Sequence, residues 1–211
     1  MAAHIFIVML DTFFKEIRKK YLKLLPKIDY RHWVYSENYF SKEECEKIIG
    51  LGKKLALRDA KVGIPENSAL DKVRRTSRVG FLNRNSDTEW IFEKVEYLLH
   101  GWNKRIYKFK LIGFSYGLQF TEYGQEGHYI WHQDFGKGPH SRRKLSITVQ
   151  LSDPKDYEGG NLEFFAALNT KTPNSQGSAI VFPSFEYHRV VPVTKGMRYS
   201  LVAWIEGPPF R

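Results

Sequence analysis

Cysteine is almost absent. Cys45 is the only one in 211 residues, which excludes an intrachain disulfide and leaves any metal to histidine and carboxylate ligands. Long apolar runs are missing as well. The best, Ile5 to Leu10, is too short to span a bilayer, meets Asp11 directly and has no small-residue cleavage site after it. A soluble, unprocessed, cytoplasmic protein is therefore expected. No internal repeat or low-complexity linker interrupts the chain, which excludes a repeat array, and the length suits one domain able to bury its own core.

Aromatic residues, at 15%, are plentiful enough to suggest many strands or pockets. Lys and Arg number 33 against 23 Asp and Glu, a formal +10. The excess gathers from Lys15 to Arg31 and again at Lys72, Arg74, Arg75, Arg78 and Arg84. Such clusters are either solvated surface or a footprint for anionic partners, nucleic acid included.

Hydrophobic spacing divides the chain. Residues 1–27 read as a basic amphipathic helix, with Phe13, Ile17, Tyr21, Leu24 and Leu25 on one side and Pro26 closing it. Residues 28–211 read as one domain, with helical support to about 106 and a β-core from about 107. Ser41-Lys42-Glu43-Glu44 and Ser86-Asp87-Thr88-Glu89 are both capping-box patterns, each ahead of an apolar stripe. Cys45 lies in the first of these helices, where a buried, inert thiol is expected. Between them, residues 58–80 are charged and carry Gly63, Pro65 and Asn67, the pattern of a mobile loop that could cover a site. Beyond Tyr107, β-rich segments run from Leu111 to Glu122, Lys144 to Leu151, Ser178 to Phe182, Arg189 to Val193 and Arg198 to Ile205, separated by turn residues. Helices first and strands afterwards predict an α+β domain whose sandwich or barrel is braced by helices on one face.

The chemistry-bearing residues fall in the β-rich half. On a strand, residues two apart face the same way, so His132 and Asp134 make half of a metal site. His188, beyond the turn at Pro183-Ser184, is the natural second imidazole. Two His and one carboxylate leave coordination positions open, the arrangement suited to non-haem Fe(II). Arg198 begins a strand on which Arg198, Ser200, Val202 and Trp204 share one side. It is either exposed, or turned inward and in need of an anion that a bidentate carboxylate would supply. Ser146, Thr148 and Gln150 likewise share one face of a strand, which either meets water or lines a ligand-filled interior.

Taken together, Tyr123-Gly124-x-x-Gly127-x-Tyr129-x-x-His132-x-Asp134, Leu145 to Pro154 with Asp156 to Gly160, and Pro183-Ser184 with His188 to Gly196 and Arg198 resemble the prolyl 4-hydroxylase-like branch of the Fe(II)/2-oxoglutarate dioxygenases, in particular the bacterial and viral PKHD-type hydroxylases. The similarity covers roughly residues 110 to 206. It implies a double-stranded β-helix, or jelly roll, with Fe(II) on His132, Asp134 and His188 and the far carboxylate of 2-oxoglutarate on Arg198, where prolyl 4-hydroxylases proper use Lys. Tyr123 and Tyr129 match motif tyrosines near co-substrate or substrate, and Trp204 matches a pocket tryptophan. Thr148 is expected beside the co-substrate and Gln150 in the pocket. Related halogenases carry a small residue at the carboxylate position, so Asp134 points to hydroxylation. The implied reaction consumes 2-oxoglutarate and O2, with ascorbate as a possible reductant, and hydroxylates a C–H bond of a peptide or protein, a prolyl residue first. Two rivals remain: oxidative demethylation of nucleic acid on the same scaffold, which suits the +10 charge, and a non-enzymatic jelly-roll binding module.

Overall fold

Ser41 opens its helix as the capping box requires. Its hydroxyl accepts the Glu44 N–H at 3.2 Å while the Glu44 carboxylate accepts the Ser41 N–H at 2.7 Å, and helix α1 (Lys42–Lys53) follows. In this computed structural model the described residues are 30–63 and 68–210; the helix expected over residues 1–27 lies outside them, as do Pro65 and Asn67. The second box does not form. Helix α2 (Glu89–Trp102) starts at Thr88, whose hydroxyl turns back to the Asn83 carbonyl at 2.6 Å, while the Asn85 side chain accepts the Asp87 N–H at 2.9 Å. A turn over Asn85 to Thr88 thus captures the groups that the box would have used.

The strands, numbered in chain order, form antiparallel sheets. The larger runs β1 (Val34–Ser36), β11 (Ala179–Pro183), β8 (Arg143–Gln150), β14 (Arg198–Glu206), β6 (Leu118–Tyr123), β4 (Arg78–Leu82) and β2 (Arg58–Asp59), with β5 (Gly113–Phe114) on the end of β14. The smaller runs β10 (Leu162–Phe164), β12 (His188–Val190), β7 (His128–His132) and β3 (Arg75–Thr76). A two-stranded ribbon pairs β9 (Tyr157–Gly159) with β13 (Val193–Gly196).

The expectation of a mobile loop over 58–80 needs correction. Arg78–Leu82 pairs along β6, Arg75–Thr76 with β7 and Arg58–Asp59 with β4, so both ends of that segment are sheet. Its charges hide the strand signal because they serve cross-strand pairs: Arg78 stands opposite Glu122 and donates to it at 3.1 Å. Four strands, β1 to β4, therefore precede residue 107, where the sequence suggests helices alone.

The side-chain period of two divides the larger sheet between two environments. Leu145, Ile147 and Val149 of β8 and Leu201, Ala203 and Ile205 of β14 join Cys45, Ile48, Ile91, Val95 and Leu99 of the helices in one apolar core. On the opposite side, Tyr123, Ile180 and Phe182 meet Leu162, Phe164 and Val190 of the smaller sheet. The polar faces of β8 and β14 also look that way. Ser146, Gln150, Arg198 and Ser200 are all buried, which resolves the two choices that the sequence leaves open for those faces in favour of the interior.

Candidate metal centre

β7 and β12 are antiparallel neighbours, and their register sets His132 directly opposite His188. The imidazole centroids lie 4.2 Å apart. Asp134 follows β7, held by the Phe135 N–H on the Ser184 carbonyl at 2.8 Å and by Arg143 Nη1 on its own carbonyl at 3.2 Å. Its carboxylate oxygens sit 3.8 Å from His132 Nε2 and 3.7 Å from His188 Nε2, and one ligand atom from each of the three residues falls within 4.8 Å of the others. Among the described residues this is the one His/Cys/Asp/Glu group with metal-binding geometry.

The surroundings prepare these side chains as ligands. Each His has Nδ1 against a main-chain carbonyl, His132 on Ile130 at 2.8 Å and His188 on Glu186 at 2.9 Å. With Nδ1–H donating, the lone pair of each ring resides on Nε2, turned toward Asp134. Burial first, then the neighbouring His188, pushes the pKa of His132 down to about 3, so it is neutral at physiological pH. For Asp134, burial acts to raise the pKa, but the fields of His188, His132 and Arg143 and a hydrogen bond from Ser146 outweigh it and hold the carboxyl at about 2. Ser146 Oγ donates to Asp134 Oδ2 at 2.7 Å and contacts Ser184 Oγ at 3.0 Å, fixing the carboxylate rotamer. Partners of this kind typically tune affinity by roughly 10–100-fold. We therefore expect Ser146→Ala to weaken metal binding about tenfold or more with little change in fold, measured by metal titration beside a thermal melt; unchanged metal affinity would remove Ser146 from this role.

The triad opens into a cavity of about 690 Å³, which is also lined by Tyr123, Tyr129, Thr148, Arg198 and Trp204. Gln150 is not part of the lining but bonds Arg198: its Oε1 accepts Nη2 at 2.9 Å, and its Nε2 reaches the Tyr157 hydroxyl at 2.6 Å. Arg198 is 2% exposed, with Tyr123 opposite it in register and the phenol ring 5.3 Å from the guanidinium carbon. Its Nε and Nη1 have no hydrogen-bond partner. A buried guanidinium with Nε and Nη1 unpaired lacks a counter-ion, and a carboxylate would supply one.

Residues 118–206 match the family model described as the 2OG-Fe(II) oxygenase superfamily. That segment contains both imidazoles, the carboxylate and Arg198. Over that segment the chain is similar to the 2OG-Fe(II) oxygenase superfamily. A PKHD-type hydroxylase of Synechococcus sp. (strain CC9902) is 43% identical over 79 residues, which are 37% of this chain and 36% of that protein. The chain thus spans little more than a third of the length of that curated relative. In three dimensions a Pseudomonas putida prolyl-4-hydroxylase is similar with TM-score 0.67 at 18% identity, over 84% of this chain and 93% of the other. A Trichoplax adhaerens prolyl hydroxylase, solved with a hypoxia inducible factor oxygen degradation domain peptide fragment, has TM-score 0.67 at 17% identity, over 83% of each chain. At such identities the likeness concerns the fold. The two groups in the superfamily's description, Fe(II) and 2-oxoglutarate, fit what this segment presents: Nε2 lone pairs beside a carboxylate for the first, and the unpaired Arg198 Nε and Nη1 for the second.

One cavity residue escapes the sequence reading. Arg143 is 7% exposed and stacks on Trp204, its guanidinium carbon 4.0 Å from the ring centroid, with Nε unpaired. The Trp204 indole N–H is also unpaired. In the sequence Arg143 looks like one more member of the basic run Arg142-Arg143-Lys144, and no local signal marks it as buried.

Proposed function

We propose that this chain is an Fe(II)- and 2-oxoglutarate-dependent hydroxylase of a peptide or protein, acting on a prolyl residue, with residues 28–211 as one double-stranded β-helix domain braced by its helices. The observation that carries the reading is Arg198, buried with Nε and Nη1 unpaired in the same cavity as a His132–Asp134–His188 cluster. In this reading His132 Nε2, His188 Nε2 and the Asp134 carboxylate hold iron, while Arg198 takes the far carboxylate of 2-oxoglutarate. Bound iron, with 2-oxoglutarate and O2, supplies the oxidant that turns a C–H into a C–OH and leaves succinate and CO2; ascorbate serves as reductant in the assay.

The chain's own residues do the positioning. Gln150 anchors the Arg198 guanidinium through Nη2 and leaves Nε and Nη1 for a ligand. Tyr123 and Thr148 wall the co-substrate side. Tyr129 stacks on the His132 ring, centroids 3.5 Å apart, and limits its rotation. Arg143 Nε and the Trp204 indole N–H are unpaired donors on residues that line the cavity, suited to a substrate carbonyl. A peptide substrate is supported by the peptide-bound Trichoplax relative and by the PKHD-type likeness. No helix among the described residues is long and apolar enough to cross a membrane, and a cytoplasmic setting belongs to the same proposal.

The test is mass spectrometry of a proline-containing peptide library incubated with Fe(II), 2-oxoglutarate and ascorbate. A gain of one oxygen on a prolyl residue, matched by succinate, is expected. Succinate production with no oxidised peptide would overturn the peptide substrate, and no 2-oxoglutarate consumption at all would overturn the oxygenase reading. The rival of a binding module without chemistry gives no account of the unpaired N–H groups on Arg198.

A further inference from the structure

The cavity is strongly unbalanced in charge. Among the described residues its lining includes Lys61, Arg74, Arg75, Arg143 and Arg198, against Asp134 as the one carboxylate. On the proposed function, from which this inference starts, a divalent iron, the Asp134 carboxylate, dianionic 2-oxoglutarate and Arg198 sum to zero. Lys61, Arg74, Arg75 and Arg143 are then left over, and no described carboxylate forms an ion pair with any of them.

These cations are placed rather than incidental. β3 pairs with β7 so that Arg75 stands opposite Tyr129, and its guanidinium lies over that ring at 4.7 Å while Nε donates to Ser77 Oγ at 2.8 Å. Arg75, Tyr129 and His132 form one stacked column from the rim to the metal cluster. The main chain of Arg74 accepts the Ile130 N–H at 2.9 Å, which fixes that residue on the same edge. Several cations elsewhere on the surface have a carboxylate partner, among them Arg78 on Glu122, Arg84 on Glu89, Arg142 on Glu206, Arg189 on Glu163 and Lys195 on Glu158. What sets the mouth apart is convergence: Lys61, Arg74, Arg75 and Arg143 line one cavity whose one described carboxylate is Asp134, and such a concentration focuses positive potential on whatever enters it.

We infer that the substrate is an acidic polypeptide segment, whose carboxylates flank the reacting residue and dock on Lys61, Arg74 and Arg75 at the cavity mouth. The rim cations act on selection and on encounter, since exposed charge pairs contribute more to steering and specificity than to tight binding.

Two 15-residue peptides with a central proline decide the matter, one with Asp or Glu at four flanking positions and one with Gln there, each fluorescein-labelled. Binding to the full-length, metal-free protein is followed by anisotropy, and turnover by the loaded enzyme is measured separately. The acidic peptide should bind roughly tenfold tighter at low salt, with the ratio shrinking as salt rises. The Arg74→Glu/Arg75→Glu double variant should abolish or reverse the preference, and Arg74→Glu alone, at an exposed position, should reduce it several-fold. Equal binding of both peptides would overturn the inference. So would a preference that both variants leave untouched, which would place it elsewhere on the chain, or a 15-mer oligothymidylate that displaces the acidic peptide at lower concentration. An acid preference in binding without hydroxylation of either peptide keeps this inference and rejects the proposed chemistry; equal hydroxylation of both does the reverse.

Discussion

Replacing Arg198 by Met is expected to raise the KM for 2-oxoglutarate by roughly 10²-fold or more while the ligand-free protein melts at or above the wild-type temperature. The two halves have one cause. A guanidinium 2% exposed with Nε and Nη1 unpaired is a cation taken out of water without a counter-charge, which is a cost to the fold. An apolar side chain of similar volume removes that cost. Such exchanges are commonly neutral or stabilising by about 1–4 kcal/mol, and each kcal/mol moves the Tm of a chain this size by roughly 2–4 °C. The same exchange deletes the bidentate partner of the co-substrate. Losing one member of a buried, hydrogen-bonded charge pair costs about 2–5 kcal/mol, and about 1.4 kcal/mol is a factor of ten.

Arg198→Lys separates charge from shape. It keeps the cation but not the fork, so it should recover part of the 2-oxoglutarate affinity and none of the gain in Tm. The measurements are a 2-oxoglutarate titration followed by succinate formation and a melt of each protein with and without 2-oxoglutarate. Should Arg198→Met bind 2-oxoglutarate like the wild type, the guanidinium serves another purpose and the proposed co-substrate site is wrong.

The reasons why Arg198 and the two strand ligands are legible in the sequence, and Arg143 is not, are physical. Strand periodicity fixes the side on which a residue lies relative to its neighbours, and that is enough to pair His132 with Asp134 and to group Arg198 with Ser200 and Trp204. It does not reveal which side is inside. The face bearing Ser146, Thr148 and Gln150 is determined only when β8 takes its place between β11 and β14 and the apolar alternates find the helices. The placement of His188 opposite His132 is a matter of register between strands more than fifty positions apart, which no local pattern encodes. Edge strands such as β2 and β3 are obscured for another reason, since the charges that protect an edge are the residues that suggest a loop. Ser41 shows the opposite case. A capping box is complete within four residues and forms as written, whereas the one at Ser86 loses to a competing turn through Asn85.

Asp134→Ala is the second decisive variant, and its effect should be larger than that of Ser146→Ala. Ser146 orients the carboxylate, whereas Asp134 is the only anionic group among the three side chains that converge. A partner of a ligand is worth roughly 10–100-fold in affinity, so loss of the ligand itself should cost roughly 10³-fold or more. This can be read without catalysis. A metal that binds the folded protein at about a hundred times its Kd stabilises by about 2.7 kcal/mol, which at this size is a rise in Tm of roughly 5–10 °C. Anaerobic Fe(II), or Mn(II) in its place, should give that rise with the wild type, the same rise at a higher metal concentration with Ser146→Ala, and none with Asp134→Ala. The apo variant provides the internal control: the wild-type carboxyl, held near 2, is ionised at neutral pH, and its removal leaves two imidazoles with their Nδ1 hydrogen bonds to Ile130 and Glu186 intact. A folded Asp134→Ala protein that still gains several degrees from metal would mean that the ion is held elsewhere, and the cluster of His132, Asp134 and His188 would lose its assigned purpose.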